Sequence, residues 1–146
     1  MILSFCAGLG FNLLRPQGLP LVADWTAEAR LKARFGEKAV ISLEEAKESF
    51  FSKTAVFLDA RPQSEYASGR IQGARSLPLE AFDRYFGPAT EDRDLDALLI
   101  TYCDGEDCTL SIHVAKKLKE MGFENVRILV NGWSLWKQQG LPLEDG

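Results

Sequence analysis

The sequence predicts an α/β domain in which a central parallel sheet of about five strands is flanked by helices on both faces. Two observations predict it. Short apolar runs at Ala55 to Leu58, Leu98 to Tyr102 and Val126 to Val130 alternate along the chain with helical patterns. These runs end on polar or reactive residues, Asp59, Cys103 and Asn131. Strands that alternate with helices pair in parallel through right-handed crossovers, and in such sheets sites lie beyond the carboxyl ends of the strands. Asp59 and Cys103 both sit at such ends, so they are expected to be neighbours in space. The chain has 146 residues, 46% of them hydrophobic, enough for one compact core.

The elements follow in order. Asp24 to Phe35 reads as a short helix, capped by Asp24 or Thr26 and closed by Gly36. Val40-Ile41 reads as a short strand. Ser42 with Glu45 three residues later fits a capping box that opens a helix to about Ser52. Ala55 to Asp59 is a buried strand. Pro62 suits the first turn of a helix over Gln63 to Ser68, ended by Gly69. Gly73 to Leu77 reads as a strand, Leu79 to Phe86 as a helix, and Gly87 to Asp96 as a polar loop. Leu98 to Tyr102 is a buried strand. A helix starts near Thr109, with Leu110, Val114, Leu118 and Met121 at helical spacing. Val126 to Val130 is a strand, Asn131-Gly132 a turn, and Trp133 to Gln139 a final helix whose Trp133 and Trp136 are expected in the core.

Composition narrows the function classes. The net charge is −4 and no basic run or aromatic-plus-basic patch occurs, which argues against nucleic-acid binding. Three cysteines, an odd count, do not make a disulfide framework. Met1 to Leu14 carries no charge, and Arg15-Pro16 breaks the run. Fourteen residues are too few for a bilayer, which needs roughly 20. Two readings stand for this segment: a packed N-terminal arm that includes an inert Cys6, or the end of a membrane anchor. The protein is accordingly expected in the cytoplasm or tethered to a membrane at the cell envelope. Residues 15–23 form a linker. The expected division is therefore residues 1–37 as arm, linker and short helix, and residues 38–146 as the α/β domain.

The reactive feature is Cys103. A strand runs into it, a loop of Asp104, Gly105, Glu106, Asp107 and Cys108 follows, and a helix begins at Thr109. Loop amides and a helix N-terminus both favour S⁻ over SH, and S⁻ is the nucleophile.

Three stretches resemble the rhodanese-like domain family. Asp59-Ala60-Arg61 is followed by Glu65-Tyr66, Gly69-Arg70-Ile71 and Gly73-Ala74; Tyr102-Cys103 is followed by a loop and helix; and Asn131-Gly132-Trp133, Trp136 and Gly140-Leu141-Pro142 close the pattern. The resemblance covers about residues 38–143. It implies a sulfurtransferase in which Cys103 takes up sulfane sulfur as a persulfide and passes it to a nucleophilic acceptor. It also implies that the amides from Asp104 to Thr109 cradle the persulfide or an anionic donor group. No cofactor and no metal are implied. The expected partners are a small sulfur donor or a persulfide-carrying protein.

The loop departs from the family pattern. It seats Asp104, Glu106 and Asp107 near the sulfur, and no Lys or Arg precedes Lys116. A unit negative charge a few ångströms away costs on the order of 1–2 kcal/mol, comparable to the helix-dipole benefit. Weak thiosulfate activity is therefore expected, with a neutral, cationic or protein-borne donor preferred. The loop is also longer than the commonest family version. Arg70 stands where the family has His.

Cys108 has two readings: a resolving thiol that closes a disulfide with Cys103, or a small helix-start residue. The alternative function is a thiol-redox or protein-binding module that uses Cys103 and Cys108 without sulfurtransferase turnover. His113 lies about 140° round a helix from Cys108 and is read as a surface residue. A zinc site from Cys103, Cys108 and His113 lacks a fourth ligand. Thr109 stands where cysteine phosphatases of related architecture carry an Arg, which removes the bidentate phosphate clamp. Asp59 and Arg61 are read as site-supporting, Asp59 by capping the next helix and Arg61 by pairing with Glu65.

Overall fold

A computed structural model describes residues 26–146. The apolar arm, the membrane-anchor alternative, Cys6, the linker and Asp24 lie outside the described residues. Among the described residues, no helix is long and apolar enough to cross a membrane.

Local chemistry sets the first elements. Thr26 Oγ1 accepts from the Ala29 N–H at 3.1 Å and caps α1 (Ala27–Phe35), which ends at Gly36 with φ 94°. A 3₁₀ turn (Glu37–Ala39) leads to Val40, which makes a single parallel bridge to Ile128 where a fifth short strand is expected. The capping box of α2 (Leu43–Phe51) forms as the spacing predicts. Ser42 Oγ accepts from the Glu45 N–H at 3.2 Å, and Glu45 Oε2 accepts from the Ser42 N–H at 3.0 Å. Strand β1 (Ala55–Asp59) and helix α3 (Gln63–Ser68) coincide with their expected bounds.

The middle of the chain differs from expectation. Arg70–Ile71 forms strand β2, which no periodicity signals in two residues. Gly73, at φ 74°, turns the chain, so β3 is only Arg75–Ser76. The expected helix over Leu79 to Phe86 is a 3₁₀ turn (Leu79–Ala81) followed by α4 (Phe82–Thr90). Helix α4 runs past Gly87 and Pro88 because Ala89 and Thr90 are buried. Thr90 Oγ1 also donates to the Phe86 carbonyl at 2.7 Å. Strand β4 (Leu98–Tyr102), helix α5 (Leu110–Glu120), strand β5 (Val126–Leu129), helix α6 (Gly132–Gln138) and strand β6 (Leu143–Glu144) complete the order. Met121 caps the C-terminal end of α5 and is exposed, although the spacing puts it on the apolar stripe.

The central sheet is parallel, in the order β3-β1-β4-β5. A separate antiparallel pair, β2-β6, is closed by an Arg70–Glu144 ion pair. Both faces of the central sheet are covered, as parallel sheets require. On one face, Leu58, Leu99 and Ile128 pack with Phe82, Val114, Leu118 and Phe123 from the side of α4 and α5. On the other, Phe57, Ile100, Tyr102 and Leu129 pack with Ala46 and Trp136 from α2 and α6. Trp136 is fully buried, and its Nε1 donates to the Pro142 carbonyl at 3.0 Å.

Candidate active site

Strands β1 and β4 are direct neighbours, with Asp59 opposite Tyr102. Both chains leave the sheet at this level, so the two strand ends are adjacent, but the side chains part: the Asp59 carboxylate is bound by the Tyr102 hydroxyl, whereas Cys103 Sγ lies against Ser111 of α5. Asp59 is fully buried and does not cap α3, whose N-cap is Pro62. Its carboxylate accepts instead from the Arg61 N–H (3.0 Å), from Arg61 Nε (2.9 Å) and Nη2 (2.6 Å), and from the Tyr102 hydroxyl (2.8 Å). Arg61 is buried too, and its Nη2 also donates to the Gly69 carbonyl at 2.7 Å. Glu65 stands 4.0 Å away and is secondary. The expected Arg61–Glu65 pairing is present but long, and Asp59 is the closer partner because a buried guanidinium needs a buried, hydrogen-bonded counter-charge.

Burial works against the Arg61 charge, but the hydrogen bonds and charge of Asp59 outweigh it and raise its pKa. Burial, with the Asp59 charge beside it, pushes the Tyr102 hydroxyl far above its ordinary value, so Tyr102 stays a neutral donor.

Cys103 is 1% exposed and is joined to Cys108 in a disulfide, with Cα atoms 6.5 Å apart. The Ser111 hydroxyl lies 3.3 Å from Cys103 Sγ. A disulfide sulfur carries no proton, so Ser111 is the donor. Ser111 is buried in the first turn of α5. Sequence reading missed it because it falls beyond the loop; the signal available was its place in the first turn of the helix whose N-terminus faces the thiol.

The loop is fastened at several points. Gly105, at φ 88°, makes the turn that returns the chain, and the Cys108 N–H donates to the Gly105 carbonyl at 3.3 Å. The Gly105 N–H donates to Asn131 Oδ1 at 2.9 Å. The Trp133 N–H donates to the Cys103 carbonyl at 3.2 Å, and Ser134 Oγ donates to Asp104 Oδ1. The amides of Gly105 and Cys108, expected in an anion cradle, are therefore spent on holding the closed loop.

The three acids are not equivalent. Asp104 is drawn toward α6 by Ser134. Asp107 is 98% exposed, with Arg30 of α1 at 3.9 Å. Glu106 is exposed and makes no ion pair among the described residues. Thr109, at the N-cap of α5, makes no side-chain cap bond. His113 is exposed, as expected, with Nδ1 2.8 Å from the Thr109 carbonyl. No three His, Cys, Asp or Glu among the described residues form a group able to hold a metal.

Beside the loop lies a cavity of about 410 Å³, lined by Arg61, Ser64, Glu65, Asp104, Trp133 and Lys137 among others. Trp133 is half-buried, packing against the edge of the core; Arg61 stacks on its ring at 4.2 Å, and Lys137 approaches the same ring at 5.2 Å. The cavity thus has an aromatic wall, a cation at Lys137, and carboxylates at Glu65 and Asp104.

Known proteins agree with this architecture. The rhodanese-like domain family matches residues 42–139. A thiosulfate sulfurtransferase GlpE from Actinobacillus succinogenes is 31% identical over 104 residues, covering 71% of this chain and 88% of that protein. An HTH-type transcriptional regulator from Mycobacterium tuberculosis is 32% identical over 89 residues, covering 61% of this chain. The matched region spans only 37% of the regulator's length. A rhodanese-like domain from Anabaena, solved in solution, superimposes with a TM-score of 0.61 at 28% identity, covering 74% of this chain and 80% of that one. The chain belongs to the rhodanese-like domain family.

Proposed function

We propose that this domain is a sulfurtransferase that carries sulfane sulfur on Cys103. The observation that carries the reading is the placement of Cys103 at the C-terminal end of β4, with a buried hydroxyl donor, Ser111, 3.3 Å from its sulfur. Such a donor favours the thiolate. The likeness to a thiosulfate sulfurtransferase over most of that protein's length supports the same reading. In the reduced domain, Cys103 S⁻ attacks the outer sulfur of the donor, the donor's S–S bond breaks, and a Cys103 persulfide remains. An acceptor nucleophile then takes the outer sulfur and frees the thiolate. The donor is neutral, cationic or protein-borne, because the loop that follows Cys103 carries the exposed acids Asp104, Glu106 and Asp107.

The test is mass spectrometry of the reduced Cys108→Ser chain, in which no second thiol can close on Cys103, after exposure to a sulfur donor. A gain of one sulfur on Cys103, lost in Cys103→Ala, is the expected outcome. A second reading, a thiol-redox or protein-binding module, is favoured by one observation, the Cys103–Cys108 disulfide. Loss of two hydrogens from the wild type on mild oxidation, with no persulfide on Cys108→Ser and no sulfide released under any donor, supports that reading and sinks the first.

A further inference from the structure

Cys103 and Cys108 share a bond but not an environment. Cys103 is 1% exposed, and its sulfur accepts from Ser111. Cys108 is half-buried and sits between exposed Asp107 and exposed Thr109. While the disulfide is closed, a donor cannot reach the sulfur of Cys103. The loop is built to close: Gly105 turns it, the Cys108 N–H bonds back to the Gly105 carbonyl, and the two Cα atoms fall within bridging range.

We propose that Cys108 is a second catalytic thiol, which turns the loaded domain into a sulfide-releasing enzyme that a dithiol resets by attack at Cys108. The proposal rests on the sulfurtransferase reading, since it begins from the Cys103 persulfide. Cys108 sulfur attacks the inner sulfur, Cys103 Sγ. The bond between Sγ and the outer sulfur breaks, and its electron pair leaves with the outer sulfur. The Cys108 proton passes to that sulfur, which departs as HS⁻. The sulfane sulfur is reduced, and the two cysteines are oxidised to the disulfide seen here.

Reset follows from the difference in exposure. A reductant thiolate reaches Cys108 Sγ and not Cys103 Sγ. The disulfide breaks, and Cys103 leaves as a thiolate that the Ser111 hydroxyl receives. The reductant's second thiolate then attacks its own sulfur in the mixed disulfide and frees Cys108. The two electrons come from the dithiol, which becomes a disulfide. Exposed Glu106 and Asp107 immediately precede Cys108, so the partner is a dithiol protein with a neutral or cationic rim.

The experiment loads the reduced full chain with thiosulfate or inorganic polysulfide, removes excess donor, and measures sulfide and protein mass without reductant. The wild type is expected to release one equivalent of sulfide and stop, two hydrogens lighter and linked between Cys103 and Cys108. Cys108→Ser is expected to keep one extra sulfur on Cys103 and release no sulfide. A stable persulfide in the wild type, or equal sulfide release from Cys108→Ser, overturns the proposal while leaving the sulfurtransferase reading intact. No persulfide in either protein, with either donor, overturns both. A dithiol protein whose second cysteine is changed to Ser provides the second arm. Mixed with the oxidised chain, it is expected to be trapped on Cys108; an adduct on Cys103 overturns the assigned point of attack.

Discussion

The Tyr102 hydroxyl donates to Asp59 Oδ2 at 2.8 Å across adjacent parallel strands. It also accepts from the Ile71 N–H at 3.3 Å. One hydroxyl thus ties the residue before Cys103 to the buried Asp59–Arg61 pair and to β2. Asp59→Asn leaves the buried Arg61 charge with only the exposed Glu65, 4.0 Å away, as counter-ion, and is expected to cost about 3–5 kcal/mol. Tyr102→Phe removes only the neutral donor, and is expected to cost about 1–3 kcal/mol. Urea unfolding of the two variants checks the order; an Asp59→Asn protein as stable as the wild type would show that Arg61 finds another partner.

Gly132 lets α6 start against the sheet. A Cβ there would meet Tyr102 Cβ at 2.7 Å and the Leu129 side chain at 3.0 Å. Gly132→Ala is expected to destabilise the domain by about 1–3 kcal/mol through overpacking. Because the Trp133 N–H holds the Cys103 carbonyl, Cys103 alkylation in the reduced variant is expected to change as well. Thermal unfolding together with the alkylation rate tests both effects.

Ser111→Ala removes the donor to Cys103 Sγ without touching the loop. The thiolate loses a stabilising hydrogen bond, so the Cys103 pKa is expected to rise. Alkylation rate against pH in the reduced protein reads this directly. The midpoint moves to higher pH if the hydroxyl acts on the sulfur, and stays in place if Ser111 is only packed there.

Glu106 is the loop acid with no ion pair among the described residues. Glu106→Lys is expected to raise kcat/KM for thiosulfate roughly fivefold, through removal of one repulsion and addition of one attraction near a half-solvated sulfur. Asp107→Arg is expected to do less, because Asp107 is 98% exposed and already faces Arg30. Salt should shrink both effects. Steady-state rates at two ionic strengths decide; unchanged rates for Glu106→Lys would mean that its carboxylate points away from the sulfur.

Acid titration offers a separate check on the fold. Hydrogen bonds from Arg75, then its charge, hold Asp92 down at about 2, well below the ordinary carboxylate range. A carboxyl depressed in the folded state stabilises it above the unfolded pKa, and that contribution is lost as pH falls through the folded value. The Arg75–Asp92 link, which ties β3 to the end of α4, is therefore expected to hold at pH 4 and fail near pH 2. An Asp92 carboxyl that titrates near 4 by NMR would contradict the pairing.

Much of this site is legible in the chain. The bounds of β1 and β4 follow from apolar runs ended by Asp59 and Cys103, and the α2 capping box follows from Ser42 and Glu45. These features are short-range, so propensity and periodicity carry them. The family motifs place the thiol in the same way. Other features are decided by partners distant in sequence. Trp133 and Trp136 look alike three residues apart, yet Trp136 enters the core and Trp133 stacks on Arg61 beside the cavity. Arg61 has both Asp59 and Glu65 within reach, and burial selects Asp59. Two-residue β2 exists only because β6 returns to pair with it.

The sequence by itself determined the α/β order, the cysteine at the end of β4 and the second cysteine in the same loop, because each is written in local pattern and chemistry. Only the tertiary structure decided that Ser111 reaches the sulfur, that Cys103 is sealed while Cys108 stands half-open, and that Asp59, Arg61 and Tyr102 form one buried network. Those outcomes depend on which surfaces lose water when the layers close, and no local stretch of chain carries that information.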